Sequence, residues 1–554
     1  MGAVMARTAV TFLVGVWFLL GHCALHRRRD SAARHGADHG PVLFPQGDPM
    51  KPLRYASWCQ CRGRGAAGLC RMPPSPDVMA ALFMDYKRER RAGETFAQYL
   101  ERIGFVDPSV GTTGMDDRMV GHVPSAGDMQ LIAVPEKRVS GPLRVVVLLV
   151  DFDDRPGVRT PRSYDDLLFS RKEYPTGSMH DFYAEASNGK VDVIGSVHGW
   201  LRMPHDYGYY VNGRSGTGAT YPRNCQGLAE DAVKAALAQG VDFPQDLDKL
   251  GEGSITALFI VHAGRGAEVQ KTRAQQDAEI WSHKWAVDSP VQVAPNLHAA
   301  TYLVVPQDCL VGVCAHELGH LAFQWQDFYD PNYEEDGLYW DGSGTWDLMA
   351  AGSYNGGGSS PAHPAVLHKT QHGWVQTQTV KTSGSIQVKP LGTPGARAVK
   401  IVSPAYGPGQ FLLLENRRRA GFDRYLEGEG LLVWKVDLAR EMEAPARPGM
   451  LLVQADGEAH LDGARDGNAG DDGDPFPGSS RTTKLLDTGA INTSFPDSPP
   501  SGVRLSNIRI DADGLVTLDV HIGLAPIKTK APVAQNVMRG RAAAKPNGRV
   551  QPPA

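Results

Sequence analysis

The chain has 554 residues, 42% of them hydrophobic and 21% charged, enough to bury a large core and to form more than one domain. Its 57 Lys and Arg nearly balance 61 Asp and Glu, and a formal net charge of −4 gives no reason to expect a nucleic-acid partner. The 62 Gly and 39 Pro predict many turns.

From the start of the chain, Thr8–Leu25 is an apolar stretch behind Arg7, which suits a secretory signal sequence (residues 1–25) with cleavage after Cys23. The protein is therefore expected to be secreted and extracellular. No later segment is long and apolar enough to span a bilayer, so no stable membrane partner is expected. Of the cysteines at 23, 59, 61, 70, 225, 309 and 314, that cleavage leaves six, an even number that permits disulfides. Cys309 can bridge Cys314, and Cys70 can pair with Cys59 or Cys61. Residues 26–135 read as a leader and a small helical pro-region. Within it, 26–70 has no period. Pro76–Phe105 has two helical runs, Val78, Leu82, Phe83, Tyr86 and then Phe96, Tyr99, Leu100, Ile103, with Asp77 able to cap the first. Asp107–Pro142 reads as a linker, and residues 59–135 look too poor in core to supply a layer of the next domain.

Residues 136–375 alternate strand and helix. Val145–Val150 and Leu258–Val261 are continuous apolar runs of the buried-strand type, Leu228–Leu237 is helical in pattern, and Thr301–Val305 is a further strand. The result is an α/β domain. After Thr301–Val305 comes a helix with Val311, Val313, Ala315, Leu318, Leu321 and Ala322 as its apolar body. It carries His316-Glu317-Leu318-Gly319-His320. Residues i and i+4 of a helix share a face, so His316 and His320 can aim at one zinc ion. Glu317, beside it, can act as general base toward a zinc-bound water, which is the mechanism of the HExxH motif. A catalytic zinc has three protein ligands and one open position. Asp327 is the candidate third ligand, with Asp330 as the alternative. Met349, in the small-residue turn Trp346–Gly352, suggests the apolar floor of a Met-turn.

Two stretches are candidates for a further cation. Asp246–Gly253 is interrupted by Lys249 and Leu250, which suits calcium poorly. Asp466–Pro475 is denser in hard oxygen ligands, with Asp466, Asp471 and Asp474 as candidate calcium ligands. Short strands at Ile386–Val388, Ala398–Ile401, Phe411–Leu414, Leu431–Val436, Leu451–Gln454 and Leu515–His521 make residues 376–522 a β-rich C-terminal region. Residues 523–554 are a basic, Ala- and Pro-rich tail whose composition predicts disorder.

Taken together, Leu143–Asp154, Gly177–Tyr183, Gly199–Gly213, Leu258–Gly264, Ile280–Trp285, the zinc helix, Trp346–Gly352, Pro361–Trp374, Leu414–Arg417, Gly430–Asp437 and Gly470–Gly478 resemble the immune inhibitor A-like secreted metallopeptidases. The resemblance implies a metzincin-like zinc peptidase domain that acts on proteins or peptides, followed by the β-rich region. The family pattern HExxHxxGxxD is not met residue by residue. Phe323 and Gln326 stand where its Gly and Asp belong, and a one-residue insertion makes Asp327 the equivalent ligand with Gln324 at the turn. His283 and Tyr354, in or beside matching segments, are candidates for stabilising the oxyanion. Cys70, before the stiff run Met72–Pro76, loosely resembles the cysteine switch of other metzincins without its Arg-Cys-Gly order. It is a candidate zinc ligand of the precursor, released by cleavage between Asp107 and Pro142. The alternatives are a zinc-binding pseudoenzyme that acts by binding, and an adhesion or carbohydrate-binding β protein. An intact Glu317 argues for catalysis, because binding alone needs no base beside the metal.

Overall fold

Strand β2 (Gly141–Asp151) sets the architecture. Leu143, Val145, Val147 and Leu149 are buried on one of its faces, and Val146, Leu148 and Val150 on the other. A strand buried on both sides must lie inside a sheet covered twice, which is why its sequence is a continuous apolar run. The computed structural model describes residues 69–105, 137–218, 220–329, 341–440, 449–462, 468–496 and 498–523. The expected signal sequence, most of the linker, the C-terminal tail, Cys23, Cys59, Cys61, Asp330 and Asp466 lie outside these residues.

The first sheet has six strands in the order β1-β5-β6-β4-β2-β3. They are β1 (Cys70–Arg71), β2, β3 (Val191–Arg202), β4 (Leu258–His262), β5 (His283–Ala294) and β6 (Leu297–Pro306). β3, β2, β4 and β6 run parallel, β5 is antiparallel to β6, and β1 is antiparallel to β5. Helices α1 (Pro76–Glu89) and α2 (Phe96–Arg102) precede β2. α3 (Pro161–Phe169), α4 (Met179–Ala186) and α6 (Val311–Phe323) cover one face of the sheet, and α5 (Cys225–Ala238) covers the other. Ser178 caps α4 reciprocally with Asp181, and Asn224 caps α5 through the amides of Gln226 and Gly227.

Beyond α7 (Val366–Gln371) lie a five-stranded sheet, β12-β11-β10-β9-β7, and a three-stranded sheet, β13-β14-β8. Their strands are β7 (Gln376–Val380), β8 (Gly384–Val388), β9 (Arg397–Ile401), β10 (Gln410–Arg417), β11 (Gly430–Asp437), β12 (Met450–Leu452), β13 (Val503–Ile510) and β14 (Val516–Ile522). Buried Arg417 of β10 ties this region to the α/β part. It pairs with Asp423 and donates to the carbonyls of Trp346 (3.2 Å) and His363 (3.4 Å). Among the described residues, no helix is long and apolar enough to cross a membrane.

Three expectations change. Asp77 does not cap α1; the cap position is Ser75, which makes no side-chain capping bond, and Asp77 sits in the first turn. The leader is not too poor in core: Val78, Met79, Leu82, Phe83, Tyr86, Phe96, Tyr99, Leu100 and Phe105 form a cluster, and β1 adds a strand to the main sheet. Cys309 and Cys314 are buried thiols rather than a disulfide, and so is Cys70.

Candidate metal centre

Helix α6 follows β6 after a short turn, so its first residues emerge at the C-terminal edge of the parallel strands. Gly312 is needed there, because a Cβ would fall on the carbonyl oxygen of Ser353. The helix ends where Gln324 takes φ 58°, ψ 36°, the left-handed turn that glycine adopts at least cost. That turn sends the chain back beneath the helix and delivers Asp327.

His316, Glu317, His320 and Asp327 are all buried. His316 Nε2 lies 3.1 Å from His320 Nε2, and Asp327 Oδ1 lies 3.2 Å and 3.1 Å from these two nitrogens. Both rings are oriented through their other nitrogen. Nδ1–H of His316 donates to the Leu348 carbonyl (2.8 Å), and Nδ1–H of His320 donates to the Trp325 carbonyl (2.7 Å). Nε2 of each is thereby left as a lone-pair donor aimed at a common point, the tautomer a metal requires. Burial alone would raise the Asp327 carboxyl, but His320 and His316 beside it hold it at about 2. Burial lowers the His320 pKa despite the Asp327 carboxylate.

Both carboxylate oxygens of Glu317 are buried without a hydrogen-bond partner among the described residues. Burial first, then the Asp327 and Glu268 carboxylates, push its pKa well up, and Lys284 opposes them. Met349 underlies the helix: a Cβ on Gly319 would meet its Sδ at 2.8 Å and the Trp325 ring at 2.9 Å, so glycine lets the floor approach. The turn that carries Met349 is braced by Asp347, whose carboxylate accepts from the amides of Met349 (3.1 Å) and Ala365 (2.9 Å) and from Ser343 (3.1 Å).

Tyr354 reaches the centre, and its hydroxyl donates to the Pro73 carbonyl (2.6 Å). His283 does not. It pairs in register with Val304, on the sheet face that packs on α5, and its ring nitrogens contact the Trp281 carbonyl (2.6 Å) and the Tyr302 hydroxyl (3.2 Å). Burial lowers its pKa to about 3. The next residue, Lys284, faces α6, as period-two alternation requires. Of the segment Ile280–Trp285 it is thus Lys284, one position along from His283, whose charge reaches Glu317.

Cys70 pairs with Lys284 across β1 and β5, and its Sγ, a ring nitrogen of His320 and an oxygen of Asp327 lie within 4.8 Å of one another. Tyr329, whose hydroxyl donates to the Arg71 carbonyl, and Trp281, whose Nε1–H donates to the Met72 carbonyl (2.8 Å), were not foreseen.

A second group, Asp456, His460 and Asp471, also has ligand atoms within 4.8 Å of one another. Asp471 accepts from Asn468 Nδ2 (2.6 Å) and the Gly473 amide (2.7 Å). Asp474 is buried. Its Oδ2 accepts from Trp346 Nε1 (2.8 Å) and the Asp471 amide (2.9 Å), and its Oδ1 has no partner among the described residues. Asp456 and His460 were missed because they precede the Asp-rich run in sequence. In the other expected cation loop, Asp248 is satisfied by the amides of Glu252 and Gly253, both at 2.8 Å.

Residues 144–381 match the family described as immune inhibitor A peptidase M6, catalytic domain. The chain is 29% identical over 297 residues to immune inhibitor A of Bacillus thuringiensis subsp. alesti, covering 45% of this chain and 42% of that protein. It is 30% identical over 269 residues to the pre-pro-metalloprotease PrtV of Vibrio cholerae serotype O1, covering 39% of this chain and 28% of that one. The match therefore spans less than half the length of either relative.

Proposed function

From the similarity to the immune inhibitor A peptidases of family M6, we propose that this chain is a secreted, zinc-dependent endopeptidase that cleaves peptide bonds of proteins, with Glu317 as general base. One observation carries the reading: His316 Nε2, His320 Nε2 and Asp327 Oδ1 form a triangle with edges of 3.1 to 3.2 Å, beside a Glu317 carboxylate that has no hydrogen-bond partner among the described residues. The donor set fits zinc. Ligand bonds of about 2.0 Å in a tetrahedron place donors about 3.3 Å apart. Two imidazole lone pairs and a carboxylate that converge in a buried space call for a cation among them.

Bound zinc would polarise the scissile carbonyl and activate a water. The remaining work falls to the chain's own residues. The Leu348 and Trp325 carbonyls fix the two imidazoles, and Met349 holds α6 from below. Glu317 takes the proton of the attacking water and passes it to the leaving amine. Burial first, then the Asp327 and Glu268 carboxylates, raise the Glu317 pKa; the charge of a bound divalent cation would oppose them and favour the carboxylate. Tyr354 would donate to the oxyanion once its hydroxyl leaves the Pro73 carbonyl.

In the precursor, Cys70 would take the fourth metal position, and cleavage between Asp107 and Pro142 would release it. Its nearness to His320 and Asp327 supports this. Secretion rests on the apolar stretch Thr8–Leu25. The catalytic and β-rich domains would be 136–375 and 376–522; the last strand of the main sheet ends at Pro306 and the first of the C-terminal sheets begins at Gln376. Calcium at the Asp-rich loop is supported by Asp456, Asp471 and the Asp474 oxygen that has no partner among the described residues, although His460 adds an imidazole of the kind zinc-class ions take.

The deciding experiment is zinc stoichiometry together with casein hydrolysis by the purified, processed protein, with and without chelator. One zinc per chain and chelator-sensitive hydrolysis are expected. Zinc without hydrolysis would leave a binding protein, and neither would remove the reading.

A further inference from the structure

The two C-terminal sheets share an apolar seam, in which Val380 and Val399 of one cluster with Val388, Val516 and Leu518 of the other. Along β7 that apolar pattern is confined to the end: Gln376, Thr377, Gln378 and Thr379 are all exposed before Val380 is buried. Beside this polar stretch is a cleft of about 620 Å³, with β7 and β9 on one side and β8 and β14 on the other. Gln378, Gln387, Lys389, Arg397 and Thr517 line it, with Ile386 and Val399 as its apolar part. Strand pairing fixes this lining: Gln378 lies beside Val399, and Gln387 beside Thr517. None of these four strands supplies a residue of the metal centre.

The size suits an organic ligand rather than a single ion, because small-molecule sites run to roughly 300–1,000 Å³. The lining narrows the class. Lys389 and Arg397 bring two positive charges, and neither forms an ion pair among the described residues. Among those residues no acidic side chain lines the cleft. The carboxamides of Gln378 and Gln387 each offer donors and an acceptor, and neither has a hydrogen-bond partner among the described residues. Ligand hydroxyls, which donate and accept at once, match them. No aromatic ring is in the lining, so the bases of a nucleic acid have nothing to stack on. An added peptide strand is poorly served too. β8 ends at Val388, whose carbonyl already accepts from Asn416 Nδ2 (2.8 Å), and Pro390, two residues on, has no amide to donate.

We propose that this cleft binds an acidic oligosaccharide, whose ring hydroxyls meet Gln378, Gln387 and Thr517 and whose carboxylate or sulfate group meets Lys389 and Arg397. Arg397 can meet either anion through two parallel N–H bonds. Bound there, an acidic polysaccharide would anchor the chain without involving the metal centre.

The test uses the full chain and isothermal titration at low and high salt, with tetragalacturonate, a sulfated galactotetraose, neutral galactotetraose and tetraglutamate as probes. At least one acidic glycan should bind at least about tenfold more tightly than the neutral glycan and than tetraglutamate. The tighter of the two acidic glycans identifies carboxylate or sulfate as the group recognised. Arg397→Gln and Lys389→Gln should each weaken that binding by about fivefold and flatten its salt dependence. Gln378→Ala should weaken it and leave the salt dependence as it was. Lys484→Gln, exposed and outside the lining, should change nothing. Circular dichroism checks each variant's fold. Lys389 follows β8 and Arg397 begins β9, so misfolding of one variant leaves the other readable. Tetraglutamate binding as tight as the acidic glycans would make this a peptide site. Equal binding of the neutral glycan would remove the role of the cations, and binding untouched by both cation variants would move it elsewhere. Each of these results overturns the proposal, as does failure of both acidic glycans to bind at millimolar concentration. Hydrolysis is not read at any step, so the outcome is separate from that of the peptidase reading.

Discussion

Replacing Glu317 by Gln isolates the base from everything else at the centre. The amide has the shape of the carboxyl and, because neither Glu317 oxygen has a partner among the described residues, no hydrogen bond seen here is lost. The proposed metal donors are His316, His320 and Asp327, so zinc should stay at one per chain. The amide has no basic oxygen to take the proton of water. Loss of a general base costs about 100- to 10,000-fold in rate, or about 3 to 5 kcal/mol of barrier. Of the carboxylates whose charge reaches Glu317, Asp327 faces the two imidazoles, and Glu268 is engaged by the amide (3.1 Å) and hydroxyl (2.7 Å) of Ser282 and cannot stand in. The fall should therefore reach the upper part of that range. Zinc content and kcat/KM on a fluorogenic casein, measured on the same processed sample, decide it. Turnover within tenfold of wild type at equal zinc content would refute the assignment of the base.

Asp327→Ala should lower zinc stoichiometry while leaving circular dichroism unchanged; full zinc in that variant would move the third ligand elsewhere, with Asp330 next in line. Asp347→Asn should alter pH dependence. Burial raises the Asp347 carboxyl to about 6 despite the amides of Ala365 and Met349, so the neutral form favours the fold. Stability from this group is present below the ordinary carboxyl value near 3.8 and is lost as pH rises through about 6, by at most about 3 kcal/mol. The Asn variant should lose that decline in urea unfolding between pH 4 and 7, and an identical decline would refute the sign. Asp456→Asn with Asp471→Asn should lower the Tm in excess calcium or zinc and not in chelator; a cation-independent change would show that the loop holds no ion.

What the sequence disclosed came from periodicity. The apolar run Val145–Val150 could only be a strand covered on both faces, and β2 is one. The spacing of His316 and His320 put both rings on one face of α6, and the displaced turn residue Gln324 does take positive φ. Strands β7 and β13 were not legible. Gln376–Val380 is polar and exposed at every residue but Val380, and Val503–Ile510 alternates only in part, so neither gives a clear apolar signal. His283 and Lys284 show the limit most clearly. Which of two neighbours faces α6 and the candidate metal centre is decided by the register between β5 and β6, a long-range pairing that no local pattern encodes. The same register fixes the leader. Because Lys284 points toward α6, its partner Cys70 must point there too, and Met72 two residues on must do the same. One strand pairing thus places the thiol by His320 and Asp327 and an apolar side chain against Ala267 and Trp281. Shifting the leader by a single residue would turn both away and bring Arg71 toward the buried centre, where Lys284 already supplies a positive charge.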